Sequence, residues 1–258
     1  MANPPPLRPH PSDWLYLVGF VVLYLLLDWV SYIEPLFQLN ITPWNPDPAL
    51  GLVVWMRYGR RTALPWFAAL VLAEWWVRDL PTGLPLTLML SAQLLLGYGL
   101  IGEALRRRFA NAAVLDSRHR LASWLAIVIS GLALNGACYI TLLWLAGFVP
   151  AGALGVALLR FVIGDIVGVV VSMPLIWMLA RREGRRTLAA TLRNPECAGY
   201  LLLSMALVWG VFHGIIGSSE YKHFYFLFLP IVWAATRHGL PGTGLVAFVL
   251  QFGIILAV

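Results

Sequence analysis

The stretch R-F-V-I-G-D-I-V-G-V-V-V-S-M-P-L, residues 160–175, decides the fold. It lies in an apolar run over 155–180, long enough to cross a bilayer at ~1.5 Å of rise per residue. Gly164, Gly168 and Ser172 recur at spacing four, one small residue per turn. Such a row lets another helix backbone come close. Asp165 places a carboxylate in what would otherwise be hydrocarbon, so it must face protein or water. This one segment predicts a membrane span, a close-packing face and a polar group at a contact surface.

The rest of the chain repeats the apolar pattern. The 258 residues are 60% hydrophobic and 12% charged, with mean hydropathy +0.79, whereas a soluble domain is about a quarter charged. Apolar runs fall at 14–33, 44–58, 63–78, 84–105, 121–146, 155–180, 198–216, 224–236 and 240–258. They predict an all-α, polytopic helical bundle with about eight to nine transmembrane segments. The second run opens with P-W-N-P-D-P, whose prolines cannot continue a helix from upstream. It predicts a broken or half helix.

Charge sets orientation rather than a nucleic-acid partner. The net charge is +6, but the cations cluster in short loops between apolar runs. With a cytoplasmic N-terminus and every run crossing, only Arg78, Arg160 and Lys222 fall in the outer half. This predicts a multi-pass protein of an inner membrane, with the lipid bilayer as its surroundings and no nucleic-acid partner. Residues 1–12 read as a flexible cytoplasmic tail and 13–258 as the transmembrane domain. Nine crossings leave Val258 outside, which predicts a further crossing and a longer protein. Cys138 in a helix and Cys197 in a basic cytoplasmic loop do not suggest a disulfide.

Three segments carry a family resemblance. The 160–175 stretch resembles the G-D-x-x-G…P signature of the membrane-associated sensor (MASE, first type) domain family of bacterial signalling proteins. P-W-N-P-D-P-A-L-G-L-V-V-W-M-R-Y (43–58), followed by Gly59-Arg60, is similar to that family's W-P-P-x-G-x-x-x-A…G-R stretch. F-L-P-I-V-W-A-A-T-R-H-G-L-P-G (228–242) is similar to its P-x-x-W-A-A-x-R-F-G-x-R-G stretch. Asp47 and His238 depart from the family's usual small or apolar residue and Phe. The resemblance implies a non-catalytic sensory input domain. It would regulate a C-terminal cytoplasmic output module, a histidine kinase or a cyclic-di-GMP cyclase or phosphodiesterase in a two-component or cyclic-di-GMP system. Those modules work as dimers, so a homodimer is expected.

The candidate site residues are Asp165, Arg160, Trp44, Asn45, Asp47 and Glu74, with Gly164, Gly168 and Ser172 for helix packing. At 100° per residue, Gly168 and Ser172 lie about 60° and 20° from Asp165 on the helix, and Arg160 about 140° away. Asp165 reads either as a site for a cation, an amine or a proton, or as a structural hydrogen bond between helices. Arg160 needs a partner other than Asp165. Glu74 and Arg78, at i and i+4, read as an interfacial pair beside Trp75 and Trp76 or as the rim of a cavity. Asp28, Glu34, Asp47 and Glu74 together suggest an acidic outer vestibule suited to a cationic ligand. Gln93 and Asn135 read as hydrogen-bonding groups between helices.

No catalytic residue and no metal site is predicted: phosphate-loop, H-E-x-x-H and G-x-S-x-G motifs are missing. His213 and His223 flank a short outer loop and leave open a haem b, otherwise no cofactor is expected. The partner is expected to be an unidentified small molecule or a membrane protein. The competing readings are a transporter-like or partner-binding membrane subunit and a membrane b-type haem protein.

Overall fold

A computed structural model of the protein describes residues 11–109, 118–212 and 224–257. All regular structure among these residues is helical. In order they are α1 (Pro11–Ser31), α2 (Asp47–Tyr58), α3 (Ala63–Trp76), α4 (Leu84–Phe109), α5 (Arg118–Leu145), α6 (Leu154–Ala180), α7 (Arg182–Arg193), α8 (Pro195–Phe212) and α9 (Phe228–Ala257), with short 3-10 turns between some of them. The chain divides into two compact units, the first ending at Ile166 and the second starting at Val167, so the division falls within α6. The expected tail lies outside the described residues except for Pro11 and Ser12, which open α1.

Length and hydropathy separate the helices. Five stretches are long and apolar enough to cross a membrane: Leu84–Phe109, His119–Leu145, Ala151–Ala180, Pro195–Phe212 and Tyr225–Ala257. Tyr16–Ser31 is apolar but shorter. The 12 residues of α2 and 14 of α3 reach only ~18 and ~21 Å, less than a hydrocarbon core of ~30 Å. The apolar runs therefore become helices, but eight or nine apolar runs do not make as many full-length spans. The runs at 224–236 and 240–258 fall in one element broken at Gly239, whose φ of 57° and ψ of −140° suit glycine. Gly59 has nearly the same conformation, φ 63° and ψ −142°, where it ends α2.

In the first unit α2 is enclosed rather than exposed to lipid. Pro48 at its start has no amide donor to leave unpaired, and Asp47 in its first turn complements the helix dipole. Most of its residues are buried against α1 and α4. Small residues make room for two tryptophans. A Cβ at Gly51 would land on the Trp66 ring, and Cβ atoms at Gly99 and Gly102 would come within 3.0 and 2.8 Å of Trp55. Trp66 stacks on Tyr98 at 5.5 Å between centroids, joining α3 to α4. The exposed Arg57, Arg60 and Arg61 share one end of this unit with Arg106, which lies against Gly59.

In the second unit α8 packs against α9 and the 3-10 turn before it through Cys197, Tyr200, Val208, Leu227, Ala234, Val246 and Leu250. The basic segment after α6 forms the amphipathic α7 rather than a loop. Its Leu188 packs with Leu175 and Met178, while its arginines are exposed. Such a helix suits the membrane interface, with guanidinium groups toward lipid headgroups. Arg237, just before the Gly239 break, makes a bidentate ion pair with Glu196 at the start of α8.

Candidate functional site

The best-defined polar site in the first unit is built on Asp165, which is 0% exposed. Asn45 Nδ2 donates to its Oδ1 at 2.9 Å, and the Tyr98 hydroxyl donates to its Oδ2 at 2.7 Å. The Asn45 backbone N–H donates to the carbonyl of Gly164 at 3.1 Å. Thr42 Oγ1 donates to Asn45 Oδ1, which fixes the amide orientation so that its NH2 faces the carboxylate. A Cβ at Gly164 would collide with the Thr42 carbonyl. Asp165 and Gly164 thus latch the irregular segment 42–45 onto α6 through side chain and backbone together. Hydrogen bonds to a charged group contribute roughly 1.5–3 kcal/mol each.

This changes the role of the small-residue row. The pattern Gly164, Gly168, Ser172 predicts close approach of another helix, but at Gly164 the approaching backbone is non-helical. Irregular backbone at membrane depth persists only where it is buried or lines a cavity, and here Trp44, Asn45 and Asp47 are all buried. Gly168 and Ser172 are also buried.

A second cluster lies at the end of the unit opposite the arginines of α2 and α4. Arg78 Nη2 donates to Asp28 Oδ1 at 2.6 Å and to Asn40 Oδ1 at 3.0 Å. Its Nη1 lies 3.4 Å from Glu74 Oε1, and its guanidinium sits 5.0 Å from the centre of the Tyr32 ring. The i, i+4 pair with Glu74 is present, but the shorter contact is to Asp28 on α1. A void of about 10 Å³, room for one water, lies among Asn40, Glu74, Arg78, Thr87, Ser91 and Tyr139.

The expected acidic vestibule is therefore not a single open surface. Asp28 and Asp47 are 2% and 3% exposed, and the Tyr24 hydroxyl hydrogen-bonds Asp47. Glu34 is exposed, and its backbone carbonyl accepts a hydrogen bond from Arg160 Nη2. Arg160 and Asp165 do not meet in a hydrogen bond or ion pair. Among the described residues, the buried charged side chains of this unit are Asp28, Asp47, Asp165 and Arg78. Arg78 neutralises Asp28, whereas the hydrogen-bonding partners described here for Asp47 and Asp165 are neutral donors.

Sequence reasoning placed Asn45 and Asp165 among the candidates but missed Tyr98, Thr42 and the Asp28–Arg78 pair. Tyr98 follows the glycine of L-G-Y-G in α4, which carries no polar signal of its own. His213 and His223, the candidate haem ligands, lie outside the described residues. Among the described residues no group of three or more His, Cys, Asp or Glu side chains is arranged to hold a metal ion.

A multi-helix membrane protein with a buried carboxylate latch is the class that the fold and site define. The sequence model of the MASE1 family matches residues 15–258, essentially the whole chain, and the chain belongs to the MASE1 family. MASE1 is a membrane sensor domain family of signalling proteins. No curated protein and no solved structure matches the chain.

Proposed function

We propose that this chain is the sensory input domain of a bacterial signal-transduction protein, regulating a cytoplasmic output module C-terminal to it. The output is a histidine kinase or an enzyme that makes or degrades cyclic di-GMP, and the assembly is a homodimer. The domain sits in the inner membrane with its N-terminus in the cytoplasm. The distribution of arginine supports that orientation: Arg57, Arg60 and Arg61 gather with Arg106 at one end of the first unit, where the positive-inside rule puts the cytoplasm.

The observation that carries the reading is the latch at Asp165. A ligand or partner that binds one arrangement of the 42–47 segment better than another shifts the population between them. Its differential affinity has to be paid against two hydrogen bonds to one buried carboxylate, which defines a discrete locked state. Signalling then follows release or tightening of that lock. In the full-length protein, Asp165→Asn keeps the size of the side chain and removes its charge. Basal or stimulated output should change while membrane insertion is retained. Output identical to the parent across stimulus conditions would overturn the reading.

A further inference from the structure

The buried carboxyl groups of the first unit are not equally served. Arg78 lies between two of them, with Nη2 at 2.6 Å from Asp28 Oδ1 and Nη1 at 3.4 Å from Glu74 Oε1. Asp165 has a donor on each oxygen, Asn45 Nδ2 on Oδ1 and the Tyr98 hydroxyl on Oδ2. Hydrogen bonds to both oxygens favour the charged form of a carboxyl group. Asp47 has neither arrangement. It is 3% exposed, and its hydrogen-bonding neighbour is the Tyr24 hydroxyl. Its Oδ1 is buried and has no hydrogen-bond partner among the described residues. The void beside Arg78 does not reach it.

The surrounding groups oppose a charge there. Asp28 on α1 and Asp165 on α6 repel a negative charge on Asp47, and the attraction of Arg78 is weaker than either. The other titratable groups close to it, Tyr24 on α1 and Tyr98 on α4, are phenols and supply no positive charge. One force favours the anion. Helix α2 begins at Asp47, and a helix dipole attracts negative charge at its N-terminus. That attraction is small beside the cost of burying a carboxylate without a cation. An acid so placed takes up a proton rather than hold its charge.

A metal ion is a poorer match than a proton. Hard cations gather several oxygen ligands. Among the described residues no three His, Cys, Asp or Glu side chains are arranged to supply them.

We infer that Asp47 is a proton-binding site: in the folded domain it is a neutral carboxylic acid, whereas Asp165 is a carboxylate. The proton comes from water, and the only bond formed is O–H. Asp47 lies two residues from Asn45, so losing the proton sets an unpaired charge beside the lock. The protonation is read without any signalling output.

The test uses the whole chain in dodecyl maltoside micelles, which carry no ester carbonyl. Aspartate is isotopically labelled at its side-chain carboxyl carbon. Infrared spectra at neutral pH should show the C=O band of an un-ionised acid, above the amide bands and moved down by the label. Asp47→Asn should remove that band, and Asp165→Asn should leave it. Should Asp47→Asn not fold, Tyr24→Phe keeps both carboxyl groups and should move the band to higher frequency, while Tyr98→Phe leaves it in place. The absence of a labelled acid band at neutral pH overturns the proposal. So does a band that disappears with Asp165→Asn, or one that moves with Tyr98→Phe and not with Tyr24→Phe. A band seen only when sodium and potassium are withheld also overturns it, since a metal ion then neutralises the carboxylate.

Discussion

The two units of the chain bury polar groups in different ways. In the first, Asp28 pairs with Arg78, and Asp165 accepts from Asn45 and Tyr98, all contacts between elements far apart in sequence. In the second, the buried polar side chains among the described residues are Ser172, Thr191 and Ser204. Ser204 donates to the Tyr200 carbonyl and Thr191 to the Thr187 carbonyl, each one turn back on its own helix. Backbone strain is divided the same way. Among the described residues, the non-glycine residues with positive φ are Glu34, Phe37, Gln38, Asp79 and Leu80, all in the first unit, after α1, which holds Asp28, and just after Arg78. Long-range polar contacts and strained turns are costly unless the surroundings hold them in place, and they concentrate at switches. On the proposed reading, the first unit is the part that changes state. The second is an apolar pair of helices with an interfacial helix at its basic end.

The comparison can be broken most severely at Arg78. Arg78→Met leaves Asp28 buried without its cation, and losing one member of a buried pair costs about 3–5 kcal/mol. Unfolding of the purified protein in mixed micelles should shift accordingly, and Asp28→Asn in the same chain should recover part of the loss. Next comes Asp165→Ala, which leaves the Asn45 amide and the Tyr98 hydroxyl without their acceptor. The expected loss is about 2–4 kcal/mol, read by the same unfolding curve. Gly51→Ala should cost about 1–3 kcal/mol through the clash with Trp66, and combining it with Trp66→Leu should restore much of that loss. In the second unit Ser204→Ala removes only a bond within one helix and should cost less than about 1 kcal/mol. A large effect there, or a small one at Arg78, would erase the distinction between the units.

Much of the helical layout was legible because apolar runs bounded by Pro, Gly and Arg leave few alternatives. The burial of Asp165 was legible too, since a carboxylate in an apolar run has nowhere else to go. Its partner was harder to read. Asn45 lies 120 residues away, and the clue was indirect: P-W-N-P-D-P cannot continue a helix from upstream, so the residues before α2 are irregular and must be sheltered. Small residues at spacing four signal close approach but do not say what approaches. At Gly164 it is the Thr42 carbonyl rather than a helix. The i, i+4 spacing drew attention to Glu74 as the partner of Arg78, whereas the shorter contact crosses to α1. The Arg-rich stretch 181–193 read as a topological loop, although Leu188 and Thr191 lie on one side of a short helix and supply its buried face. Among the described residues five stretches are long and apolar enough to span, fewer than the apolar runs, because apolarity marks burial in protein as well as in lipid, and α2 is the case in point.

The central claim is that Asn45 and Asp165 act as one lock on the 42–47 segment. It is tested most directly by a double-mutant cycle in the full-length protein, with output measured for Asn45→Ala, Asp165→Ala and the two combined. The account predicts that each single change moves output to about the same level and that the double variant goes no further. Additive shifts, or output unchanged in all three variants that insert normally, would contradict it.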